Sequence, residues 1–225
     1  MHTQTTAARI PAEATYIPFQ AVAGQEAAMA SLLTGAAELV RKTEPETLQW
    51  LALRTDASRF AIIDFFPGAD GRAAHFAGQV AAALKAAAPK AVEGGWDKGV
   101  VAHVENSQVL SCALSGKLPA LAKLATRIDI QAKAGMADKL AGMLAGAGAV
   151  IRATEPGTLV WYAIRISPDR FAIFDVFASE EGRTAHFSGH VAAALKDGAD
   201  ELVEGGWDKG VVANVRNTEV LSATW

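Results

Sequence analysis

An aspartate and a histidine eleven positions apart occur twice in this chain of 225 residues, in closely similar surroundings. Asp64 and His75 are repeated as Asp175 and His186. Each aspartate lies in a run of apolar and aromatic residues, so burial should raise its pKa unless a partner stabilises the charge. Such a carboxylate can accept a proton from an acidic substrate such as a phenol, and a nearby imidazole can share this work as acid or base. These four residues are our candidate catalytic residues.

Each candidate also has a purely structural interpretation. Asp64 can accept a hydrogen bond from the indole N–H of Trp50, or pair with an arginine, and so lock the sheet without doing chemistry. His75 and His186, in the first turns of a helix, can equally be packed and hydrogen-bonded residues. The repetition does not decide between these interpretations, because packing and catalysis would both keep the same residues in both copies.

The residues that would surround a substrate are aromatic or can donate hydrogen bonds. The tryptophans and phenylalanines would form aromatic walls. The arginines could hold a ligand oxygen, and a surface or interdomain salt bridge is the alternative for them. Two of the set occur only in the second half, where a tyrosine and a histidine replace a leucine and a glutamine. The candidate substrate-binding residues are Trp50, Arg54, Phe66, Trp161, Tyr162, Arg165, Phe177 and His190.

Neither a metal nor a bound cofactor is expected. His190 follows His186 by one helical turn, which could present two imidazoles on one face, but Gln79 stands at the matching place in the first half. Cysteine and carboxylate ligands at a recognised spacing are not found in the sequence. The glycines of VEGGWDKGVVA follow no phosphate-binding pattern.

Most of the chain consists of two similar sequence repeats. VEGGWDKGVVA at 92–102 returns at 203–213, and aligning 17–114 with 128–225 gives 53 identities in 98 positions. A period near 100 residues has the length of a small domain rather than of a solenoid unit. The pattern predicts a tandem duplication. The expected organisation is a flexible N-terminus at 1–14, a first repeat at 15–114, a linker at 115–122 and a second repeat at 123–225.

Composition excludes several classes of protein. The net charge is −3 with lysine and arginine scattered, so there is no electrostatic footprint for nucleic acid. The longest uncharged run of the alanine-rich part, 140–151, is too short for a membrane span, and the first residues lack a signal-peptide pattern. The single cysteine, Cys112, cannot form a disulfide within the chain. A cytoplasmic location fits these features best.

Each repeat has the element pattern β-α-β-β-α-(α)-β, which is the ferredoxin-like arrangement. The hairpin should place Trp50 opposite Asp64. Asn106 and Asn217 lie where the last strand begins, and a role in a turn is expected for them. In the first repeat we predict strands at 17–22, 47–54, 59–66 and 106–114, helices at 25–41 and 69–87, and a short irregular helix in 92–104.

One such sheet leaves an apolar face bare, and an exposed face of that size needs a partner. The second repeat can supply it. We therefore expect an α+β fold in which two tandem ferredoxin-like repeats pack as an intramolecular α+β barrel, with the helices outside. This makes the chain a pseudo-dimer in itself, and pairing of two chains into a homodimer stays open.

The second repeat resembles a known family. The segments IQAKAGMADKLAGML, RATEPGTLVWYAIR and RFAIFDVFASEEGRTAHFSGHVAAAL are similar in order and spacing to the antibiotic biosynthesis monooxygenase-like (quinol monooxygenase-like) family of dimeric α+β barrels. The resemblance implies oxidation of a quinol- or anthrone-like aromatic by O2 without a bound cofactor, with Asp64 and Asp175 at the family's acid position. Phe66 and Phe177 stand where haem-degrading relatives carry a tryptophan, so haem degradation is not expected.

The leading hypothesis from the sequence is therefore a cofactor-independent monooxygenase whose partners are a small aromatic molecule and O2. The substrate would bind between sheet and helices. A second hypothesis is a non-catalytic small-molecule-binding or stress-associated protein that uses the same pocket. A third is a structural protein whose pocket is filled by its own side chains.

Overall fold

The computed structural model describes residues 9–117 and 119–225. Residues 1–8 of the expected flexible N-terminus, and Leu118 of the expected linker, lie outside the described residues. The first strand begins at Glu13, four residues before the predicted start, so Glu13 and Ala14 are strand residues and not part of a flexible segment. The backbone N–H of Ala12 already donates to the carbonyl of Phe66, 2.8 Å away.

The elements follow one another in the same order in both repeats. The first repeat contains β1 (Glu13–Gln20), α1 (Glu26–Thr43), β2 (Gln49–Arg54), β3 (Arg59–Phe66), α2 (Ala69–Phe76), α3 (Gln79–Ala91), α4 (Gly95–Gly99), a 3-10 turn (Val101–His103) and β4 (Glu105–Leu114). After a 3-10 turn (Pro119–Leu121), the second repeat contains β5 (Leu124–Gln131), α5 (Ala137–Thr154), β6 (Thr158–Arg165), β7 (Arg170–Phe177), α6 (Glu180–Phe187), α7 (His190–Leu202), a π-helical segment (Gly206–Val211), a 3-10 turn (Val212–Asn214) and β8 (Val215–Thr224).

The eight strands form one closed antiparallel barrel in the order β1-β3-β2-β8-β5-β7-β6-β4. The last strand of each repeat joins the two sheets: β4 pairs with β1 and with β6, and β8 pairs with β5 and with β2. Closure leaves no unpaired sheet edge. The predicted α+β barrel built from two ferredoxin-like repeats is confirmed.

The hairpin register is also as predicted, with Trp50 opposite Asp64 and Trp161 opposite Asp175. Because side chains alternate along a strand, each strand has one face under the helices and one inside the barrel. Trp50 packs in the core cluster beneath the helices of the first repeat. Its neighbour Leu51 packs in the cluster that fills the barrel. The candidate site therefore lies outside the barrel, between sheet and helices.

The helix predicted over 69–87 is two helices, α2 and α3, that break at Ala77 and Gly78. A side chain at Gly78 would meet the carboxylate of Glu44, whose Cδ lies 2.9 Å from the position of a Cβ. That carboxylate also accepts the N–H of Val80 at 3.4 Å, in the first turn of α3. The break thus makes room for an acid at the start of a helix, where negative charge is favoured.

None of the helices in the described ranges is both long and apolar enough to cross a membrane.

Candidate active site

The site of the first repeat is centred on His75, in the last turn of α2. Its Nε2 lies 3.3 Å from Oδ2 of Asp64 on β3, and its Nδ1 lies 2.5 Å from Oε2 of Glu44, which follows α1. Thr47 places its hydroxyl 3.3 Å from the same Nδ1. The imidazole is 5% exposed and Asp64 is 0% exposed. One buried histidine therefore lies between two carboxylates.

The second repeat contains the same cluster. The Nε2 of His186 lies 3.5 Å from Oδ2 of Asp175, and its Nδ1 lies 2.5 Å from Oε2 of Glu155. Thr158 is 3.4 Å from this Nδ1. Two copies of one arrangement, built from residues far apart in sequence, show that the strand register and the helix break together position the cluster.

The two carboxylates decide the charge of the imidazole. Burial alone would lower the pKa of His186, but Asp175 and then Glu155 outweigh this and raise the pKa to about 10. His75 has a pKa raised to about 10 by Asp64 and Glu44 against the same burial effect. At neutral pH each imidazole is therefore a cation.

The buried aspartates behave in the opposite way to ordinary surface acids. Burial raises the pKa of Asp64 and of Asp175, and the neighbouring histidine only partly offsets this. For Glu44, the contacts with His75 outweigh the effect of burial and lower the pKa. The glutamate thus balances the charge of the imidazolium, while the aspartate is the carboxylate with the greater tendency to take up a proton.

Several buried polar atoms of this cluster have no hydrogen-bond partner among the described residues. They are both carboxylate oxygens of Asp64 and of Asp175, Oε1 of Glu155, and the indole nitrogens of Trp50 and Trp161. The histidine nitrogens are near the aspartates but are not aligned for a well-formed hydrogen bond. The structural interpretation in which Trp50 donates to Asp64 is therefore not observed. Polar groups left unpaired in a protein interior call for an explanation, and a ligand is one.

A row of polar side chains continues across the sheet beside each aspartate. Thr126 on β5 pairs with Asp175, and its hydroxyl donates to the side-chain oxygen of Asn217 at 2.8 Å. Thr15 and Asn106 make the equivalent bond at 2.9 Å. The expected turn at Asn106 and Asn217 is wrong, because both residues lie within β4 and β8. They therefore belong to the same surface as the aspartates.

An apolar cavity of about 370 Å³ lies beside the cluster of the second repeat, between sheet and helices. His186, Trp161 and Asn217 line it; Asp175 is not a lining residue, but it lies in the sheet between Trp161 and Thr126. The other lining residues are Ile128, Ile173, Phe187, Val191, Ala192, Leu195, Trp207, Val211, Val212 and Val215. A volume in this range suits a small aromatic ligand.

A second, more polar recess of about 350 Å³ reaches the same histidine from outside. It is lined by Glu155, Gly189 and His190 together with His186. A matching recess of about 360 Å³ reaches Glu44 and His75 in the first repeat. The imidazole of His186 thus borders both the apolar cavity and the outer recess.

The structure brings some of the predicted substrate-binding residues to this cluster. The ring of Phe66 lies 5.5 Å from that of His75, and Phe177 lies 5.4 Å from His186. Trp161 lines the cavity. His190 is exposed in the outer recess and does not face the cavity.

Three other predicted residues lie elsewhere. The aromatic ring of Tyr162, a predicted substrate-binding residue, is inside the barrel, 3.7 Å from Phe65 and on the opposite face of β6 from Trp161, so it lies away from the cavity. Arg54 is four residues along β2 from Trp50, about 13 Å away, and pairs with Glu219 at 3.7 Å.

Arg165 donates to the backbone carbonyl of Pro168 at 2.6 Å and lies 3.5 Å from the carboxylate of Asp138. The salt-bridge interpretation is thus observed for both arginines, Arg54 and Arg165.

Glu44 and Glu155 are not among the residues predicted from the sequence. Both occur in the repeated segment Thr-Glu-Pro, which indicates the end of a helix but also keeps an acid at the same place in both halves. The duplicated glycines Gly78 and Gly189, three residues after His75 and His186, are a second signal in the sequence. Their contact with the glutamates is visible only in three dimensions.

Comparison with known proteins supports the fold. No family model and no curated protein matches this chain. Among solved structures, the "putative monooxygenase" of Fusobacterium nucleatum matches with a TM-score of 0.75 and 15% identity, over 95% of this chain and 94% of that one. A protein of Lactobacillus acidophilus with the same description matches with a TM-score of 0.71 and 14% identity, over 95% and 96% of the two chains. A Nitrosomonas europaea protein of unknown function is 36% identical over 47% of this chain and 95% of its own, with a TM-score of 0.43.

The barrel topology and the first two matches define the class: this chain has a monooxygenase-like α+β barrel fold. At such identities the likeness concerns the fold and not a substrate.

Proposed function

We propose that this protein is a cofactor-independent monooxygenase that uses O2 to oxidise a small electron-rich aromatic molecule, with the second repeat as its active half. One observation carries the proposal: a fully buried aspartate with unpartnered oxygens, Asp175, lies beside an imidazolium that borders an apolar cavity of about 370 Å³. Such a combination of base, acid and apolar pocket has little structural purpose of its own.

Asp175 is the general base. Burial raises its pKa, which makes its carboxylate a better proton acceptor than a surface aspartate. For an anthrone-type substrate whose reactive CH2 group reaches past Trp161 and His186 to the sheet, the carboxylate takes one proton from that group. The resulting carbanion is delocalised over the aromatic rings as a phenolate and is easily oxidised. It gives one electron to O2, and the radical and superoxide combine to form a carbon–oxygen bond.

His186 is the general acid for the second part of the reaction. Its imidazolium donates a proton to the outer peroxide oxygen, and the neutral imidazole then takes the remaining proton from the same carbon. The O–O bond breaks, the C=O bond forms, and the departing hydroxide takes the proton from Asp175 to become water. One oxygen atom of O2 enters the product and the other leaves as water, so the reaction consumes no external reductant.

The walls of the cavity suit this chemistry. Trp161 and Trp207 present aromatic faces, and Val191 and Val212 are among the side chains that make the surroundings apolar. A flat aromatic substrate would be held by stacking and burial. The amide of Asn217 is a hydrogen-bonding group at the same wall and can bind a substrate oxygen.

The proposal is tested by measuring oxygen consumption with anthrone-type and menadiol-type substrates. Asp175→Asn keeps the size of the side chain but removes the base, and should lower kcat by about 100-fold or more. His186→Gln should lower kcat by a similar factor. The matched controls are Asp64→Asn and His75→Gln, which make the same changes in the first repeat.

If the second repeat is the active half, these controls keep most of the activity. Unchanged oxygen consumption in Asp175→Asn and His186→Gln would refute the proposal. Tight binding of an apolar ligand with no oxygen consumption by the unmodified protein would instead indicate a binding protein.

A further inference from the structure

The role of Glu155 is not explained by the two groups that handle the reacting protons. Its carboxylate touches His186 on the side away from Asp175, with Oε2 at 2.5 Å from Nδ1. It borders the outer recess and does not line the apolar cavity. Glu155 is therefore outside the place where a substrate would react, but in direct contact with the general acid.

The surrounding chain is built to keep this carboxylate in place. A side chain at Gly189 would collide with it, because its Cδ lies 3.0 Å from the position of a Cβ. The start of α7 follows at His190, and Pro156 comes directly after the glutamate. Glu44, Pro45 and Gly78 repeat the arrangement in the first half. In both repeats, the helix break thus makes room for one buried glutamate.

We propose that Glu155 is a positioning residue of the active site: it holds the imidazole of His186 by Nδ1, so that Nε2 points towards Asp175 and the ring stays protonated. The effect of Glu155 on catalysis rests on the proposed function, but its effect on the orientation and charge of His186 does not. The groups that face His186 are Asp175 on β7, Glu155 and Thr158 at the entrance of β6, the ring of Phe177, and, in the recess, His190.

The carboxylate has two separable effects on the imidazole. It accepts a hydrogen bond from Nδ1–H, which fixes the orientation of the ring and the nitrogen available to Asp175. Its negative charge also stabilises the imidazolium. An opposite charge at this distance changes the pKa of a buried group by about one to three. Glu155→Gln keeps an acceptor oxygen but removes the charge, whereas Glu155→Ala removes both.

The first test is an NMR titration of the histidine ring protons in the full-length protein. In Glu155→Gln the pKa of His186 should fall by about one unit or more, while His75 in the same molecule should titrate as before. In Glu44→Gln, the pKa of His75 should fall and His186 should titrate as before. The surface variant Glu201→Gln, which removes an exposed carboxylate paired with Lys139, should change neither histidine. An unaltered His186 titration in Glu155→Gln would overturn the proposal.

The second test uses the outer recess. Because the recess reaches Glu155 from solvent, formate should enter the space left in Glu155→Ala. Bound formate should return the pKa of His186 towards its value in the unmodified protein, and this effect should saturate as the formate concentration increases. Formate should have no effect on Glu155→Gln, where the space stays filled. Failure of formate to restore a folded Glu155→Ala protein would contradict the positioning role.

Oxygen consumption separates this inference from the proposed function. If the unmodified protein is active, Glu155→Gln should shift the alkaline limb of its kcat profile to lower pH. If it is inactive on every substrate, the proposed function fails, yet the two titration tests still decide the role of Glu155. Activity with an unshifted profile would leave the function standing and refute the positioning role.

Discussion

His186 Nε2 lies 3.5 Å from Asp175 Oδ2, and the equivalent atoms of His75 and Asp64 are 3.3 Å apart. The two pairs are built from the same elements, a strand of the hairpin and the short helix that follows it. The aspartate side is closed off from solvent, whereas the imidazole of His186 borders both a cavity and a recess. In the proposed mechanism, this relationship provides a buried base and an accessible acid.

The pH dependence of stability should reveal the raised histidine pKa values. His75 and His186 have pKa values raised from 6.5 to about 10, so above pH 6.5 the folded state holds protons that the unfolded state releases. Their stabilisation is complete below pH 6.5 and is lost as the pH rises through about 10. The raised pKa values of Asp64 and Asp175 act in the same direction.

Urea unfolding between pH 6.5 and 8.5 should therefore show a free energy of unfolding that decreases, by up to about 1.4 kcal/mol per pH unit for each histidine. A variant that lacks the two exposed histidines of the described residues, His103→Gln with His190→Gln, should keep this dependence. A free energy that is flat or rises over this range would mean that the buried histidines are not held as cations.

Tyr162 offers a test of which face of the sheet forms the site. Its hydroxyl donates to Oε1 of Gln49 at 3.0 Å inside the barrel, and both residues are buried. Tyr162→Phe should destabilise the protein by about 1–3 kcal/mol, because Gln49 loses its partner. Oxygen consumption should stay within about twofold of the unmodified protein, since a group on the far face of β6 contributes no transition-state contact.

Urea unfolding and kcat/KM measure these two effects independently. A large loss of activity in a Tyr162→Phe protein that remains folded would place the substrate inside the barrel instead.

The fold was largely predictable from the sequence because it depends on patterns that are local. The hairpin register of Trp50 and Asp64 follows from two apolar runs and a short turn, and the barrel follows from two sheets that each need a cover. The position of Tyr162 follows from the same alternation: a residue next to the outward-facing Trp161 must point into the barrel.

The cluster itself was only half predictable. Asp175 and His186 could be found because they recur with constant spacing in one region of the chain. Glu155 is 31 positions before His186, and its segment, Thr-Glu-Pro, predicts only the end of a helix. The contact depends on the break at Gly189, where a glycine is required by the neighbouring carboxylate and not by a turn. Long-range contacts of this kind leave no periodic signal in a single sequence.

Filling the cavity should weaken substrate binding without changing the acid and base. Ala192 lines the cavity, and Ala192→Phe would occupy much of the space that a substrate ring needs. KM should rise about tenfold or more. Ala81→Phe makes the same change at the matching position of the first repeat and serves as the control. The measurement is steady-state oxygen consumption, with circular dichroism to confirm that both variants fold. Equal losses in both variants would contradict the assignment of activity to the second repeat.

The central claim is that this protein inserts one oxygen atom of O2 into its substrate through the Asp175–His186 pair. The most direct measurement is mass spectrometry of the product formed from an anthrone-type substrate under ¹⁸O2. The account predicts one ¹⁸O atom per product molecule with the unmodified protein and almost no labelled product with Asp175→Asn. Label that enters from ¹⁸O-water instead, or labelled product formed equally by Asp175→Asn, would contradict it.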